Sequence, residues 1–182
     1  NKLFSIAPDG TRELVCEVPN RPSGQDFLPD GRHIVVSATD SKLMEVIDGA
    51  LCEYADLSGL AAGYLNDFAV DANGRIYVGD FGYDYDGGED RRPTCLHRVD
   101  PDGSVTKVAT GVDFPNGSVV INDGKTLIVA THRLALLEIV DRVIWLEAGG
   151  ILMDGAAAPV LEAFAVEMAR IGEADADADL QP

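Results

Sequence analysis

The chain has 182 residues, of which 46% are hydrophobic and 25% charged, enough for one domain and marginal for two. Its longest apolar runs, Leu134–Leu137 and Ala156–Leu161, are far shorter than the roughly 20 residues of a membrane-spanning helix. With 31 acidic and 14 basic residues the formal net charge is −17, so neither nucleic acid nor membrane is expected as a partner.

The three cysteines indicate a reducing compartment. Cys16, Cys52 and Cys95 form no close pair, which is a poor pattern for a disulfide framework or a zinc site. We therefore predict a cytoplasmic location. The chain begins at Asn1, within strand-like sequence, so we expect a truncated N-terminus, with a lost signal peptide as the alternative.

Short segments rich in Val, Ile and Tyr alternate with turn sequences over residues 1–146, which predicts an antiparallel all-β structure. Asp-Gly and Asn-Gly supply the positive φ angles of tight turns. Five turns carry them: Pro8–Gly10, Pro29–Gly31, Ala72–Gly74, Pro101–Gly103 and Asn122–Gly124. Strands are predicted after four of these turns, at Arg32–Ser37, Arg75–Gly79, Ser104–Ala109 and Lys125–Ala130.

These strands belong to an internal repeat of a polar motif, a strand, a tight turn and a second strand. Ser23, Asn66 and Asn116 occupy the same slot at intervals of 43 and 50 residues, and Met153–Gly155 opens a fourth unit. A period of about 40–50 residues is typical of a β-propeller. We expect three to four blades, near residues 22–60, 65–110 and 115–150, in an open arc, because six blades need roughly 240 residues.

The end of the chain changes character after Gly155. Pro159 suits the first position of a helix, and Gly172 suits its end. One helical face would carry Val160, Phe164, Met168 and Ile171. We predict a propeller over residues 1–155, a short helix packed on the sheets (or, alternatively, on a partner), and a disordered acidic tail over Glu173–Asp179.

Equivalent slots of successive blades converge on the central channel of a propeller. Ser23, Asn66, Asn116 and Asp154 would therefore form a ring of oxygen donors. Such donors suit a hard cation, Ca²⁺ or Mg²⁺ and also Mn²⁺. The alternative is that each is an ordinary turn residue beside glycine.

Three motif-like segments follow one another along the chain, at Leu65–Gly79, Asp113–Gly117 and Arg142–Gly155. In this order they resemble motifs of the senescence marker protein/gluconolactonase family, which includes regucalcin. The resemblance covers about residues 3–155. It implies a six-bladed propeller with one divalent cation in its channel, and hydrolysis of sugar lactones or related esters.

The resemblance also implies a partial site. Asn116 and Asp154 match metal-binding positions of the family, and Asn66 matches a channel Asn that contacts substrate or metal. Tyr64 lies near the place of a substrate-binding Arg in some members. The family's metal-binding Glu belongs to a motif before the first residue of this chain. We therefore expect weak binding of one cation, Ca²⁺ first, with Zn²⁺, Mn²⁺ or Mg²⁺ as alternatives.

The implied chemistry is metal-assisted hydrolysis of a small lactone or ester, with Asp154 as general base. Asp67 is the second choice for the base, with bracing of its turn as the alternative. We expect impaired activity in this chain. A non-catalytic binding module and an inactive fragment are the competing interpretations.

Two features are expected to play supporting roles. We interpret His33, His97 and His132 as packed or surface residues, because none occupies the ring slot. Phe81–Asp90 lacks the pattern of an EF-hand loop and is predicted to be a long loop over the channel mouth, where Tyr83 or Tyr85 would contact substrate. An open arc leaves sheet faces uncovered, so self-association is also expected.

Overall fold

The computed structural model describes residues 1–130, 140–147 and 149–178. The chain divides into two compact units, Asn1–Arg133 and Leu134–Pro182. The predicted boundary after residue 155 therefore falls inside the second unit. Among the described residues, no helix is both long and apolar enough to cross a membrane.

The first unit is built from antiparallel sheets. β1 (Lys2–Ile6) pairs with β2 (Arg12–Glu17). A four-stranded sheet follows, consisting of β3 (Pro22–Phe27), β4 (His33–Ser37), β5 (Lys42–Ile47) and β6 (Ala50–Asp56). The next four-stranded sheet consists of β7 (Leu65–Val70), β8 (Ile76–Asp80), β9 (Thr94–Val99) and β10 (Val105–Val112). β11 (Ser118–Ile121) pairs with β12 (Thr126–Val129).

The predicted tight turns are confirmed by the backbone. Each of the five turn glycines has a φ between 77° and 90°, in the left-handed region that favours glycine: Gly10, Gly31, Gly74, Gly103 and Gly124. The strands predicted after four of the turns are β4, β8, β10 and β12, with ends that differ by at most three residues.

The two four-stranded sheets share one hydrophobic core. Ile34, Val36 and Leu43 of the first sheet pack in the same buried cluster as Ile76 and Val78 of the second. Alternating apolar positions on half-buried strands put these side chains on one face of each sheet. The predicted blades near residues 22–60 and 65–110 are thus confirmed.

The first strands of successive sheets lie side by side. β3 contacts β7, and β7 contacts β11, so the three strands that begin the repeat units are neighbours. This is the arrangement of inner strands in a β-propeller. Within the first unit the described strands form successive sheets and not one closed barrel.

The second unit contains β13 (Arg142–Glu147), β14 (Gly150–Ala156) and α1 (Ala157–Ala178). The prediction of a single blade near residues 115–150 is wrong for the described residues. β13 pairs with β14, in the register Arg142↔Ala156, and β11–β12 is a separate sheet. Asp154 consequently lies within β14 and does not open a further repeat unit.

The predicted helix is confirmed, but its predicted end is wrong. α1 continues past Gly172 to Ala178, through most of the segment expected to be disordered. Alanine alternates with acidic residues after Gly172, and alanine is the strongest helix former, so its preference outweighs the cost of one glycine. Val160 is buried, and the Phe164 ring packs edge-on against Trp145, with 4.8 Å between ring centroids.

Candidate active site

Asn66 is the one buried member of the predicted ring. Its side chain is buried at the start of β7. The Nδ2 atom donates a hydrogen bond of 2.8 Å to the backbone carbonyl of Pro115. Its Oδ1 atom lies 3.4 Å from the Ser23 hydroxyl, which donates to it. The amide thus joins the starts of the three neighbouring repeat units.

The segment before Asn116 is held by close packing and an unusual backbone. Pro115 is buried against Gly79, where a side-chain carbon would overlap the proline ring. Phe114 has a φ of 51°, which is uncommon for a bulky residue and rarer still before proline. Residues held in such conformations concentrate at functional sites. The packing of Pro115 on Gly79 therefore fixes the backbone that leads into Asn116.

Asn116 is half-buried and follows this anchored proline directly. Its Oδ1 atom accepts the N–H of Gly117 at 3.1 Å. Its own N–H donates to the carbonyl of Ala130 at 3.2 Å, which ties the segment to the end of β12. The structure thus brings the Asn116 segment against Asn66, through Pro115.

Asp67 lies between two glycines of the neighbouring repeat units. A side-chain carbon at Gly24 would lie 3.1 Å from Oδ1 of Asp67, and one at Gly117 would lie 3.9 Å from Oδ2. Any larger residue at Gly24 would therefore crowd the carboxylate. Asp67 is half-buried, and it supplies a carboxylate beside Asn66 in the first unit.

Asp154 has a different environment, within the second unit. Both of its carboxylate oxygens accept hydrogen bonds of 2.7 Å from Arg142 on the paired strand. The hydrogen bonds and charge of the guanidinium hold the pKa of Asp154 below its usual value. A lowered pKa makes a carboxylate a weaker base.

An aromatic cluster adjoins Asn66 and Asn116. Its members are Tyr64, Phe81, Tyr83, Tyr85 and Phe114. The rings of Phe81 and Phe114 stack with 4.5 Å between centroids and 18° between planes. The cluster therefore holds Phe114, which directly precedes Pro115 and Asn116.

Tyr64 forms the edge of this cluster beside Asn66. The Arg21 guanidinium lies over its ring, 5.8 Å from the centroid. Desolvation, with smaller contributions from Asp84 and Asp86, raises the pKa of the Tyr64 hydroxyl. Tyr64 is thus a neutral hydrogen-bonding group two positions before Asn66.

A buried polar group fixes the loop between β8 and β9, which carries three of the aromatic residues. Oδ1 of Asp80 accepts the N–H of Gly82 at 2.7 Å and the Thr94 hydroxyl at 2.6 Å. The carbonyl of Gly82 accepts Nε of Arg92 at 2.6 Å. Residues 81–93 are thus a long loop, as predicted for Phe81–Asp90.

Asp80 and His97 are both fully buried within the second four-stranded sheet. Desolvation raises the pKa of Asp80 and lowers the pKa of His97. Oδ2 of Asp80 and both ring nitrogens of His97 have no hydrogen-bond partner among the described residues. His97 is therefore a packed residue, as predicted; His132 lies outside the described residues.

The donors around Asn66 fit a hard divalent cation by their chemistry. Ser23, Asn66, Asp67 and Asn116 offer hydroxyl, amide and carboxylate oxygens, and no thiol or imidazole is among them. Within the part of the chain that the structure describes, no three His, Cys, Asp or Glu side chains come together as a metal cluster. A cation here would depend on amide oxygens and a single carboxylate.

The comparison with known families identifies the family of the chain. The family described as SMP-30/Gluconolactonase/LRE-like region matches residues 1–141. The chain belongs to this family. The match contains Asn66, Asp67 and Asn116, and it ends before Asp154. A comparison with curated proteins gives no match.

Solved structures similar to this SMP-30/gluconolactonase chain share its fold. A putative gluconolactonase matches 86% of the chain and 56% of its own length, with 18% identity and a TM-score of 0.62. A gluconolactonase from Xanthomonas campestris matches 86% of the chain and 55% of its own length, with 20% identity and a TM-score of 0.60. Regucalcin from Agrobacterium tumefaciens, described as a calcium-binding protein, matches 72% of the chain and 44% of its own length, with 20% identity and a TM-score of 0.56.

The chain spans about half the length of these structures. The likeness establishes the propeller-type fold, and the activities named for the relatives belong to those proteins.

Sequence analysis missed the stacking of Phe114 on Phe81 and the packing of Pro115 on Gly79. Both contacts join residues more than 30 positions apart. The only local signal was the run Phe114–Gly117, in which a proline restricts the residue before it.

Proposed function

We propose that this chain hydrolyses small lactones or related esters where β3, β7 and β11 begin. The observation that carries the proposal is the 2.8 Å hydrogen bond from Nδ2 of Asn66 to the carbonyl of Pro115. It joins two of the predicted donor segments beside the carboxylate of Asp67. Membership of the SMP-30/gluconolactonase family supports the reaction class.

Asp67 is the proposed general base. Its carboxylate accepts a proton from a water molecule as the water oxygen attacks the carbonyl carbon of the lactone. The ring C–O bond then breaks, the proton passes to the leaving alkoxide, and the product is a hydroxy acid. Asp154, the base predicted first from the sequence, is the alternative, although its double hydrogen bond to Arg142 disfavours that role.

Asn66 and Asn116 are proposed to hold the carbonyl end of the substrate and a divalent cation, Ca²⁺ first. Such a cation supplies Lewis-acid polarisation of a carbonyl group when it is bound. Asn66 is suited to positioning because its amide is fixed on both sides, by Ser23 and by Pro115. Tyr64 is the proposed hydrogen-bonding contact to substrate.

The test combines calorimetric titration of Ca²⁺, Zn²⁺ and Mn²⁺ with hydrolysis of glucono-δ-lactone and δ-valerolactone. Asp67→Asn should reduce kcat by about 100-fold or more, the usual contribution of a general base. Asp123→Asn is the matched control, because asparagine tolerates the left-handed φ of 55° at that turn. Full activity of Asp67→Asn together with loss of activity in Asp154→Asn would identify Asp154 as the general base.

A non-catalytic binding module is the second candidate, favoured by the small number of carboxylates among the donors. It predicts cation or lactone binding without turnover. Asn116→Ala should then weaken binding, while no variant changes a rate of hydrolysis. Absence of both binding and turnover would contradict both candidates.

A further inference from the structure

The aromatic cluster beside the candidate site supplies few hydrogen-bond partners for a polyhydroxylated ring. Each sugar hydroxyl taken out of water needs a hydrogen-bond partner. The cluster supplies five aromatic rings next to Asn66 and Asn116, of which Phe81 and Phe114 have no polar atom.

The cluster is ordered by its surroundings. Phe114 is held at a φ of 51° with its ring stacked on Phe81. The N–H of Phe81 donates to the carbonyl of Tyr64 at 2.9 Å, and Tyr83 is almost fully buried. A rigid aromatic surface binds a flat ring with little loss of conformational freedom.

Part of the cluster remains accessible to a ligand. Tyr85 is 52% exposed and meets the edge of Phe81, with 6.0 Å between centroids. Phe81, Phe114 and Tyr64 are half-buried, so each keeps some exposed ring surface. The exposed side of the cluster can therefore accept another aromatic ring.

The charged groups beside the cluster indicate the charge of the ligand. Asp84 and Asp86 flank the Tyr64 hydroxyl. The Arg21 guanidinium near Tyr64 is paired with Asp86, with 3.3 Å between Nη1 and Oδ2. Acidic groups beside Tyr64, together with an arginine that is already paired with Asp86, disfavour an anionic ligand.

From this composition we propose that the aromatic cluster selects neutral lactones or esters that carry an aromatic ring, in preference to polyhydroxylated sugar lactones. The inference rests on the proposed hydrolase function, and it names the substrate class of that site. The aromatic ring of the ligand packs against Phe81 and Tyr85, and the carbonyl lies toward Asn66.

The activity test compares three substrates with the full chain: a neutral benzo-fused δ-lactone, δ-valerolactone and glucono-δ-lactone. We expect the highest kcat/KM for the benzo-fused lactone. Tyr85→Leu should lower that value by about 3- to 10-fold, the range of a single aromatic pair, and change δ-valerolactone by less than about 2-fold. Phe27→Leu is the control, because Phe27 is an exposed aromatic that stacks on His33 outside the cluster.

A second readout does not need turnover. Calorimetric titration with the corresponding benzo-fused lactam, which resists hydrolysis, should show binding that Tyr85→Leu weakens and Phe27→Leu does not. If the lactam binds in this way but none of the lactones is hydrolysed, the selectivity of the cluster for neutral aromatic ligands stands and the hydrolase proposal fails.

Two outcomes would overturn the inference while the hydrolase proposal survives. One is hydrolysis of glucono-δ-lactone with a kcat/KM equal to or above that of the benzo-fused lactone. The other is hydrolysis of all three lactones with no effect of Tyr85→Leu on any of them.

Discussion

Asp71 shows what a single buried carboxylate contributes at the residue scale. Its Oδ1 atom accepts the N–H groups of Asn73 and Arg75 at 2.8 and 3.0 Å, and its Oδ2 atom accepts Nε of Arg75 at 2.6 Å. Burial alone would raise the pKa of Asp71, but these hydrogen bonds outweigh it, so the pKa is lowered. The ionised carboxylate thus holds the turn between β7 and β8.

Asp71→Asn should therefore destabilise the protein in a pH-dependent way. We expect a loss of about 2 kcal/mol in the free energy of unfolding at neutral pH, typical of hydrogen bonds to a charged group. Because the folded-state pKa is lowered, this stabilisation is present above the unfolded pKa of about 3.9 and is lost as pH falls through the folded pKa. Urea unfolding at several pH values measures the difference, which should shrink in acid.

The control for this prediction is Asp102→Asn, because Asp102 is an exposed turn residue that accepts the N–H of Ser104 at 3.0 Å. It should lose much less stability than Asp71→Asn. Equal losses in the two variants at neutral pH would contradict the importance of burial at Asp71.

Gly79 links stability to the candidate site. Gly79→Ala places a methyl group against Pro115, so either strand β8 or the Phe114–Gly117 segment must shift. We expect a loss of about 1–3 kcal/mol in the free energy of unfolding, the usual cost of overpacking. Lactone hydrolysis should fall in the same variant, because Pro115 anchors Asn66.

Gly59→Ala is the matched control for Gly79→Ala. No atom lies within 4 Å of a side-chain carbon at Gly59, and its φ is not in the left-handed region. Both stability and hydrolysis should stay close to those of the unchanged chain. Unchanged stability in Gly79→Ala would show that the Phe114–Gly117 segment moves freely.

At the scale of elements, the packing of α1 on β13 and β14 can be observed directly. Trp145 is the single tryptophan of the chain, and it contacts Phe164 of α1. Phe164→Ala should shift the tryptophan emission to longer wavelength and reduce the stability of the second unit by about 1 kcal/mol, the value of an aromatic pair. Fluorescence during urea unfolding measures both effects.

Val166→Ala provides the comparison for Phe164→Ala, because Val166 lies on an exposed face of the same helix. Its emission spectrum should match that of the unchanged chain. A similar spectral shift in both variants would mean that the helix responds as a whole and not through the ring contact.

The sequence predicts an element correctly where neighbouring residues determine the backbone conformation. Asp-Gly and Asn-Gly turns specify their own backbone, so Gly31 and Gly74 marked the ends of strands to within a few residues. The repeat period also predicted that Asn66 and Asn116 occupy equivalent slots. It did not predict the left-handed φ of Phe114, which depends on stacking against a ring 33 positions earlier.

The predicted end of α1 is wrong because it rested on a single local signal. Gly172 is a common helix terminator, but propensity is a weak local preference that the neighbouring residues can outweigh. The pairing of β13 with β14 also depended on a register that no single turn sequence specified.

At the scale of the molecule, exposed apolar residues on the second unit favour self-association. On the face of β13–β14 opposite Trp145, Leu146 is 69% exposed and its cross-strand partner Ile151 is 64% exposed. The net charge of −17 opposes association at low ionic strength. Light scattering should therefore show a mass that rises as added salt screens the charge.

Leu146→Glu should reduce this association. Thr11→Glu is its control, because it adds the same charge at an exposed site of the first unit. A monodisperse monomer at all salt concentrations would contradict the prediction.

The core shared by the two four-stranded sheets has a kinetic consequence. In many repeat proteins each unit unfolds against its neighbours in a nearly one-dimensional way. Here Leu43 and Leu57 are buried in the same cluster as Leu65 and Val99, so neither sheet retains a complete core without the other. Slowly exchanging amide hydrogens of β4 and β8 should therefore share one opening free energy, and a cavity made at Leu43 should accelerate hydrogen exchange in both strands equally.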